Sequence, residues 1–187
     1  MPRTEPSSAP TKGSEVTEDQ VPEQLMPLSW LIGKWVGVGL GTYPGIEDFR
    51  FGQEVSFATD GRPFLQYASR SWILNDEGEQ IRPSAMEVGF WRPQADNHVE
   101  VLLTHSTGIL ETMLGTVEIT NLESAAITGA RIQLHTDVAA RTETAKEYSA
   151  GSRLYGLIEG DLGYAFDMAA MGHEMQNHLS ARLAKVG

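Results

Sequence analysis

Apolar and polar residues alternate along most of this chain in short stretches with a period of two. Phe49, Phe51, Val55 and Phe57 take the odd positions between Phe49 and Ala58, and Asp60-Gly61 then gives a hairpin turn signal. Pro63 to Leu74 reads as the next strand, and Asn75-Asp76-Glu77-Gly78 turns the chain back. Met86 to Trp91 and Val99 to Thr104 bracket a further polar turn. Strand-like runs follow at Ile109 to Leu114, Thr116 to Ile119, Ala125 to Thr128, Ile132 to Val138, Glu147 to Ile158, Leu162 to Met168 and Met175 to Val186. Trp35 to Gly39 opens the series. Ahead of it, residues 21–32 have room for one or two short helical turns, which Pro27 keeps short. Sustained 3.6-residue apolar periodicity is absent, which argues against a βαβ architecture. The pattern predicts an all-β domain of about ten antiparallel strands, either an up-and-down barrel or a sandwich. A closed barrel removes exposed strand edges and can enclose one small ligand. The helical turn near the N-terminus would cap one barrel end.

Composition narrows the functional classes. The chain has 187 residues, a length suited to one domain, and no cysteine. Disulfides, Cys-zinc sites, Fe–S clusters and thiol catalysis are therefore excluded together, and a reducing cytoplasmic setting fits. The net charge is −11, which argues against nucleic acid or an anionic membrane surface as partner. No apolar run approaches the roughly 18–20 residues of a membrane span. Residues 1–20 are rich in Pro, Ser, Thr and Glu and are expected to be a disordered polar tail, with residues 21–187 forming the barrel.

Three constellations could carry chemistry. Gly33, Trp35, Gly37 and Gly39 form a G-x-W-x-G-x-G. No helix follows it, so it is not a phosphate loop; Trp filling one barrel end and glycines permitting close strand packing is the simpler account. The five histidines are His98, His105, His135, His173 and His178, and none lies in an H-x-x-x-H or HExxH spacing. A single His can still hold haem iron, because the porphyrin supplies the other four ligands. His105 continues the apolar face of Val99, Val101 and Leu103 and is expected to point inward, whereas strict alternation places His178 outward, with Leu179 and Leu183 inside. No G-x-S-x-G elbow exists, and Glu143 and Glu147 read as solvated surface.

An ordered set of short motifs resembles the nitrobindins, small all-β haem proteins of the fatty-acid-binding-protein shape. Leu28-Ser29-Trp30-Leu31-Ile32-Gly33 leads into the glycine-tryptophan motif, and Gly41-Thr42-Tyr43-Pro44-Gly45-Ile46 follows. Gly61-Arg62-Pro63-Phe64-Leu65, Glu87-Val88-Gly89-Phe90-Trp91-Arg92-Pro93 and His105-Ser106-Thr107-Gly108-Ile109-Leu110-Glu111 come next. Asp167-Met168-Ala169-Ala170-Met171-Gly172 and Asn177-His178-Leu179-Ser180-Ala181-Arg182-Leu183 close the set. The resemblance implies a ten-stranded calycin-type barrel holding one haem b per chain near its mouth. His178 is implied as the axial ligand of ferric iron, and His105, Lys146 and Met168 as pocket residues. It further implies binding of nitric oxide, isomerisation of peroxynitrite to nitrate, and room for a homodimer. Two positions depart from the pattern, Gly45 where a Thr is frequent and Ala85 where a His is frequent. These departures leave a second reading: a haem-free barrel for a fatty acid or other apolar molecule, with Arg50, Arg70, Arg92 or Arg153 receiving the carboxylate.

Overall fold

The computed structural model describes residues 21–186, so the expected tail at 1–20 lies outside the described residues. Ten antiparallel strands close into a single barrel: β1 (Gly33–Tyr43), β2 (Ile46–Ala58), β3 (Leu65–Leu74), β4 (Gln80–Pro93), β5 (His98–His105), β6 (Ile109–Glu123), β7 (Ala126–Arg141), β8 (Tyr148–Ile158), β9 (Asp161–Ala170) and β10 (Gln176–Val186). Each strand pairs with its chain neighbour, and β1 pairs with β10 to complete the ring. The barrel therefore prevails over the sandwich, and it leaves no free edge. The turn signals at 60–61 and 75–78 fall between strands as expected. Two divisions do not survive. The runs on either side of Gly115 join into β6, and those on either side of Gly129 join into β7. Gly115 does not end its strand because its missing Cβ admits the Gln133 carbonyl and the Leu134 side chain. Among the described residues no helix is long and apolar enough to cross a membrane.

The two barrel ends differ. A 3-10 helix at Glu23–Leu31, with Pro27 inside it, plugs the end where β1 begins, and it packs against β4 and β6. Leu25, Leu28, Trp30 and Leu31 are buried there, and Trp35 Nε1 donates to the Leu31 carbonyl at 2.8 Å. Beneath the plug, Phe57, Tyr67, Trp91 and Tyr155 pack with ring centroids 5.2 to 6.1 Å apart. Trp91 meets Phe57 and Tyr155 edge-to-face, an arrangement that adds about 0.5–1.5 kcal/mol per pair beyond burial. The other end is closed only by turns, among them Pro44-Gly45, where Gly45 has a φ of 83°. Pro followed by a residue of positive φ is the type II turn, which a β-branched Thr at position 45 would strain.

A row of glycines on the inner face of β1 shapes the wall near the open end. A Cβ on Gly39 would meet the Phe51 ring, and one on Gly41 the Phe49 ring. These rings therefore lie flat across β1. At Gly39 a Cβ would also meet the Ser180 carbonyl, and at Gly37 it would meet backbone alone, the Arg182 carbonyl and Leu183 Cα. Backbone cannot swing aside as a side chain can. Gly37→Ala is expected to force β1 from β10 and cost about 1–3 kcal/mol, which thermal unfolding would show as a Tm loss of several degrees.

Candidate functional site

The barrel interior is filled by aromatic and aliphatic groups near the plug and left partly open near the mouth. A chamber of about 100 Å³ runs from the mouth to the floor. Phe49, Phe51, Phe166, His178 and Leu179 line its outer part, and Ser71, Ser84 and Ala85 line the facing wall. Gln53, Ser69, Tyr155, Tyr164 and Arg153 form its floor, with Glu87 beside them. A larger concavity of about 560 Å³ lies against β4 to β7, near Val88, Phe90, Leu102, Leu110 and Val138, and no histidine lines it.

His178 reaches the chamber through a defect in the ladder. Between β9 and β10, Asn177 pairs with Asp167 and Leu179 with Phe166, so His178 is an extra residue without a partner there. A bulge of this type turns the side chain away from strict alternation. Position 178 therefore faces the chamber together with Leu179, contrary to the outward placement expected from parity. The imidazole Nδ1–H donates to the Thr42 carbonyl at 2.9 Å, which leaves the Nε2 lone pair unspent. Phe49, Phe166 and Tyr43 surround the ring edge-on at 5.5 to 6.2 Å. Burial pushes the His178 pKa below its ordinary value, against a smaller opposing effect of the Thr42 bond. The ring is neutral at pH 7 and has one nitrogen available for a metal. Tyr43 braces this arrangement, since its hydroxyl donates to the Ala170 carbonyl at 3.1 Å and accepts the Ala170 N–H at 2.9 Å.

Behind the chamber lies a buried charge cluster that sequence reading missed. Arg153 Nη1 and Nη2 hold Glu87 in a two-point contact at 2.8 and 2.7 Å. His105 bridges both carboxylates, Nδ1 to Glu87 and Nε2 to Glu111, at 3.1 Å each. Tyr67 donates to Glu87, and Tyr148 and Thr136 donate to Glu111, at 2.8 to 2.9 Å. Burial raises the Glu87 pKa, but Arg153 and then His105 outweigh it and hold the carboxyl well below the usual range. Burial likewise disfavours charged His105, yet Glu111 and Glu87 overcome it and push its pKa up to about 9. The guanidinium of Arg153 also stacks on Phe166 at 4.6 Å from the ring centroid, which ties the cluster to the aromatic wall beside His178. One signal was present in the sequence: Glu87, Glu111 and Arg153 each share odd parity with core residues of their strands, Trp91, Met113 and Tyr155.

The expected pocket residues thus separate. His178 lines the chamber and His105 faces the interior, but ion-paired behind it. Met168 sits on β9 opposite Gln176, near the mouth, and its carbonyl accepts from Tyr43 at 3.3 Å. Lys146 is exposed on the β7–β8 connection at the same barrel end. Trp35 and Gly33 belong to the plugged end, and Gly37 and Gly39 to the β1 wall. Among the described residues no group of three or more His, Asp or Glu is arranged to hold a metal ion, so a metal here needs ligands that the protein does not provide.

The comparisons with known proteins agree with this geometry. A family described as "THAP4-like, heme-binding beta-barrel domain" matches residues 24–185. A protein of Nocardioides sp. named peroxynitrite isomerase is 50% identical over 159 residues, covering 85% of this chain and 91% of that protein. A Kineococcus radiotolerans protein named ferric nitrobindin-like protein is 44% identical, covering 88% of this chain and 94% of that protein. The crystal structure of Rv2717c from M. tuberculosis superposes with a TM-score of 0.81 at 34% identity, over 89% of this chain and 99% of that one.

The charge cluster gives a pH signature. A His whose pKa rises on folding stabilises fully below its unfolded value, and that stabilisation is lost as pH climbs through the folded value. For His105 the window runs from 6.5 to about 9, which is on the order of 3 kcal/mol. Tm is therefore expected to fall between pH 7 and pH 10, and His105→Gln to flatten that dependence while lowering Tm at pH 7. Calorimetry across this range checks both.

Proposed function

The chain belongs to the THAP4-like, haem-binding β-barrel family, and from this premise we propose that it holds one haem b through His178 and isomerises peroxynitrite to nitrate, with nitric oxide as a second ligand. The observation that carries the reading is the bulged His178, neutral, fixed through Nδ1 and presenting Nε2 to an aromatic-walled chamber. This side chain fits haem on the chemistry of its donor atom, because a neutral imidazole needs only the porphyrin to complete a coordination set. The apolar residues at the mouth would pack against such a group, and the polar groups deeper in would be left to small reactants.

Each residue has a definite part in this scheme. Thr42 fixes the tautomer and orientation of His178 through its carbonyl, as outer-shell groups do at metal sites. Phe49, Phe51 and Phe166 present apolar faces against which a porphyrin can pack, and they exclude water from that side. When bound, ferric haem supplies the electron-accepting centre at which peroxynitrite rearranges to nitrate. Ser71 and Ser84 line the wall where the departure to Ala85 leaves a methyl group. The Ser71 hydroxyl is spent on the Ala85 backbone, donating to its carbonyl at 3.2 Å and accepting its N–H at 3.1 Å, so Ser84 carries the hydroxyl left to a reactant on that side. The protein's overall charge of −11 repels an anionic substrate, so the attraction is local to the site.

The fatty-acid alternative finds less support. A carboxylate anchor requires an interior cation with unspent charge. The interior cations among the described residues are Arg153 and His105; Glu87 already holds Arg153 at two points, and His105 is paired with both Glu87 and Glu111. Arg50, Arg70 and Arg92 bind surface acceptors on the outside of the barrel.

Titration of haemin into the full-length protein, followed in the visible spectrum, tests the reading. One equivalent is expected to saturate a sharp Soret band. His178→Ala is expected to weaken uptake by more than about 100-fold, beyond the 10–100-fold typical of outer-shell losses, and to shift the band; an unchanged spectrum overturns the assignment. Because the fold disfavours charged His178, acid-induced haem release is expected with a midpoint below the ordinary imidazole value of 6.5.

A further inference from the structure

The floor of the chamber carries more hydrogen-bond donors than acceptors. Tyr164 Oη donates to Gln53 Oε1 at 2.7 Å, and Gln53 Nε2 donates to Ser69 Oγ at 2.8 Å. A hydroxyl that accepts from an amide still has its own hydrogen to place, and Ser69 has no acceptor for it among the described residues. With the amide turned over, Ser69 donates to Gln53 and Tyr164 keeps the spare hydrogen instead. One O–H is left over in either orientation, and both hydroxyls line the chamber.

One further donor is unspent. Arg153 Nε–H is buried without a partner. Tyr155 Oη accepts from Arg153 Nη1 at 3.4 Å and has the Tyr67 hydroxyl as a further partner, so it adds nothing to the surplus. The nearby carboxylates are already occupied: Glu87 receives Arg153, Tyr67 and His105, and Glu111 receives His105, Thr136 and Tyr148. Ser69 and Arg153 are only 6% and 4% exposed, so bulk water does not satisfy these groups. Buried donors left unpaired are costly, so the arrangement calls for a guest that brings acceptors. The whole chamber, mouth included, measures about 100 Å³, so its floor takes only a guest of a few heavy atoms.

We infer that the inner chamber is a binding site for a small monovalent oxyanion of the nitrate type. Such an ion offers oxygen acceptors on every side and no hydrogen. Water would add two hydrogens to a site already in surplus. Charge permits the guest, because Glu87 and Glu111 are balanced by Arg153 and His105, and the Glu87 carboxylate that faces the chamber is spent on its own partners. The choice of nitrate rests on the isomerase reading, in which nitrate is the product. The donor surplus stands without it.

The test uses the full chain saturated with haem, in sodium nitrate and in sodium chloride at matched ionic strength, with the thermal midpoint as readout. Nitrate is expected to raise the midpoint saturably above the chloride series. The Ser69→Ala/Tyr164→Phe double variant removes the spare hydroxyl in both amide orientations, and nitrate affinity is expected to drop at least tenfold. His178→Ala separates this site from the iron: nitrate stabilisation persists there if the anion sits on the floor. Equal effects of nitrate and chloride, undiminished binding in the double variant, or loss of the nitrate effect in His178→Ala each overturns the inference. Nitrate binding to a chain that takes up no haem would instead sink the haem reading and leave this one standing.

Discussion

Burying two carboxylates beside an arginine and an imidazole is tolerable only when every charge has a partner. In this barrel Arg153, Glu87, His105 and Glu111 meet that condition from four different strands, β8, β4, β5 and β6. Any one of them removed leaves an uncompensated charge in a low-dielectric interior, a cost of about 3–5 kcal/mol. The cluster thereby fixes which way those strands face. It also divides the interior, with close-packed aromatics on the plug side and a polar floor on the mouth side. The chamber exists because the middle layer is built from hydrogen-bonded polar groups, which cannot collapse into a hydrophobic filling without being orphaned.

The cluster and the metal-competent histidine are joined mechanically. Arg153 stacks on Phe166, and Phe166 stands edge-on to His178 at 6.1 Å. The same Phe166 is the residue opposite Leu179 where the β9–β10 ladder resumes after the bulge. Packing, ion pairing and strand register thus converge on one ring. The glycines of β1 contribute from the other flank, since Phe49 and Phe51 can lie flat only where positions 41 and 39 lack a side chain.

Much of the fold was legible in the sequence, because period-two alternation and turn residues are local signals. Phe49 to Phe57, and Val99 to His105, show their faces in the structure as their parity reads. The excess of candidate strands over the ten observed came from treating Gly115 and Gly129 as breaks, whereas there they admit neighbouring groups of the sheet. The site was legible in part. His178 was reached through motif resemblance and against its parity, since a bulge is a register event between two strands and leaves no mark in one strand's alternation. Arg153, Glu87 and Glu111 do lie in phase with their core faces. Each alone reads as a solvated charge, and only closure of the barrel brings them together. The Gln53–Ser69–Tyr164 chain is hidden for the same reason, spanning 111 residues between its ends.

The helical plug seals one end of the barrel with Leu25, Leu28, Trp30 and Leu31. A vessel with a single opening imposes an order on its traffic. Whatever settles on the floor must enter and leave by the same mouth. Turnover in such a vessel is governed by the clearance at the lip, where the exposed turn residues stand, rather than by affinity on the floor alone.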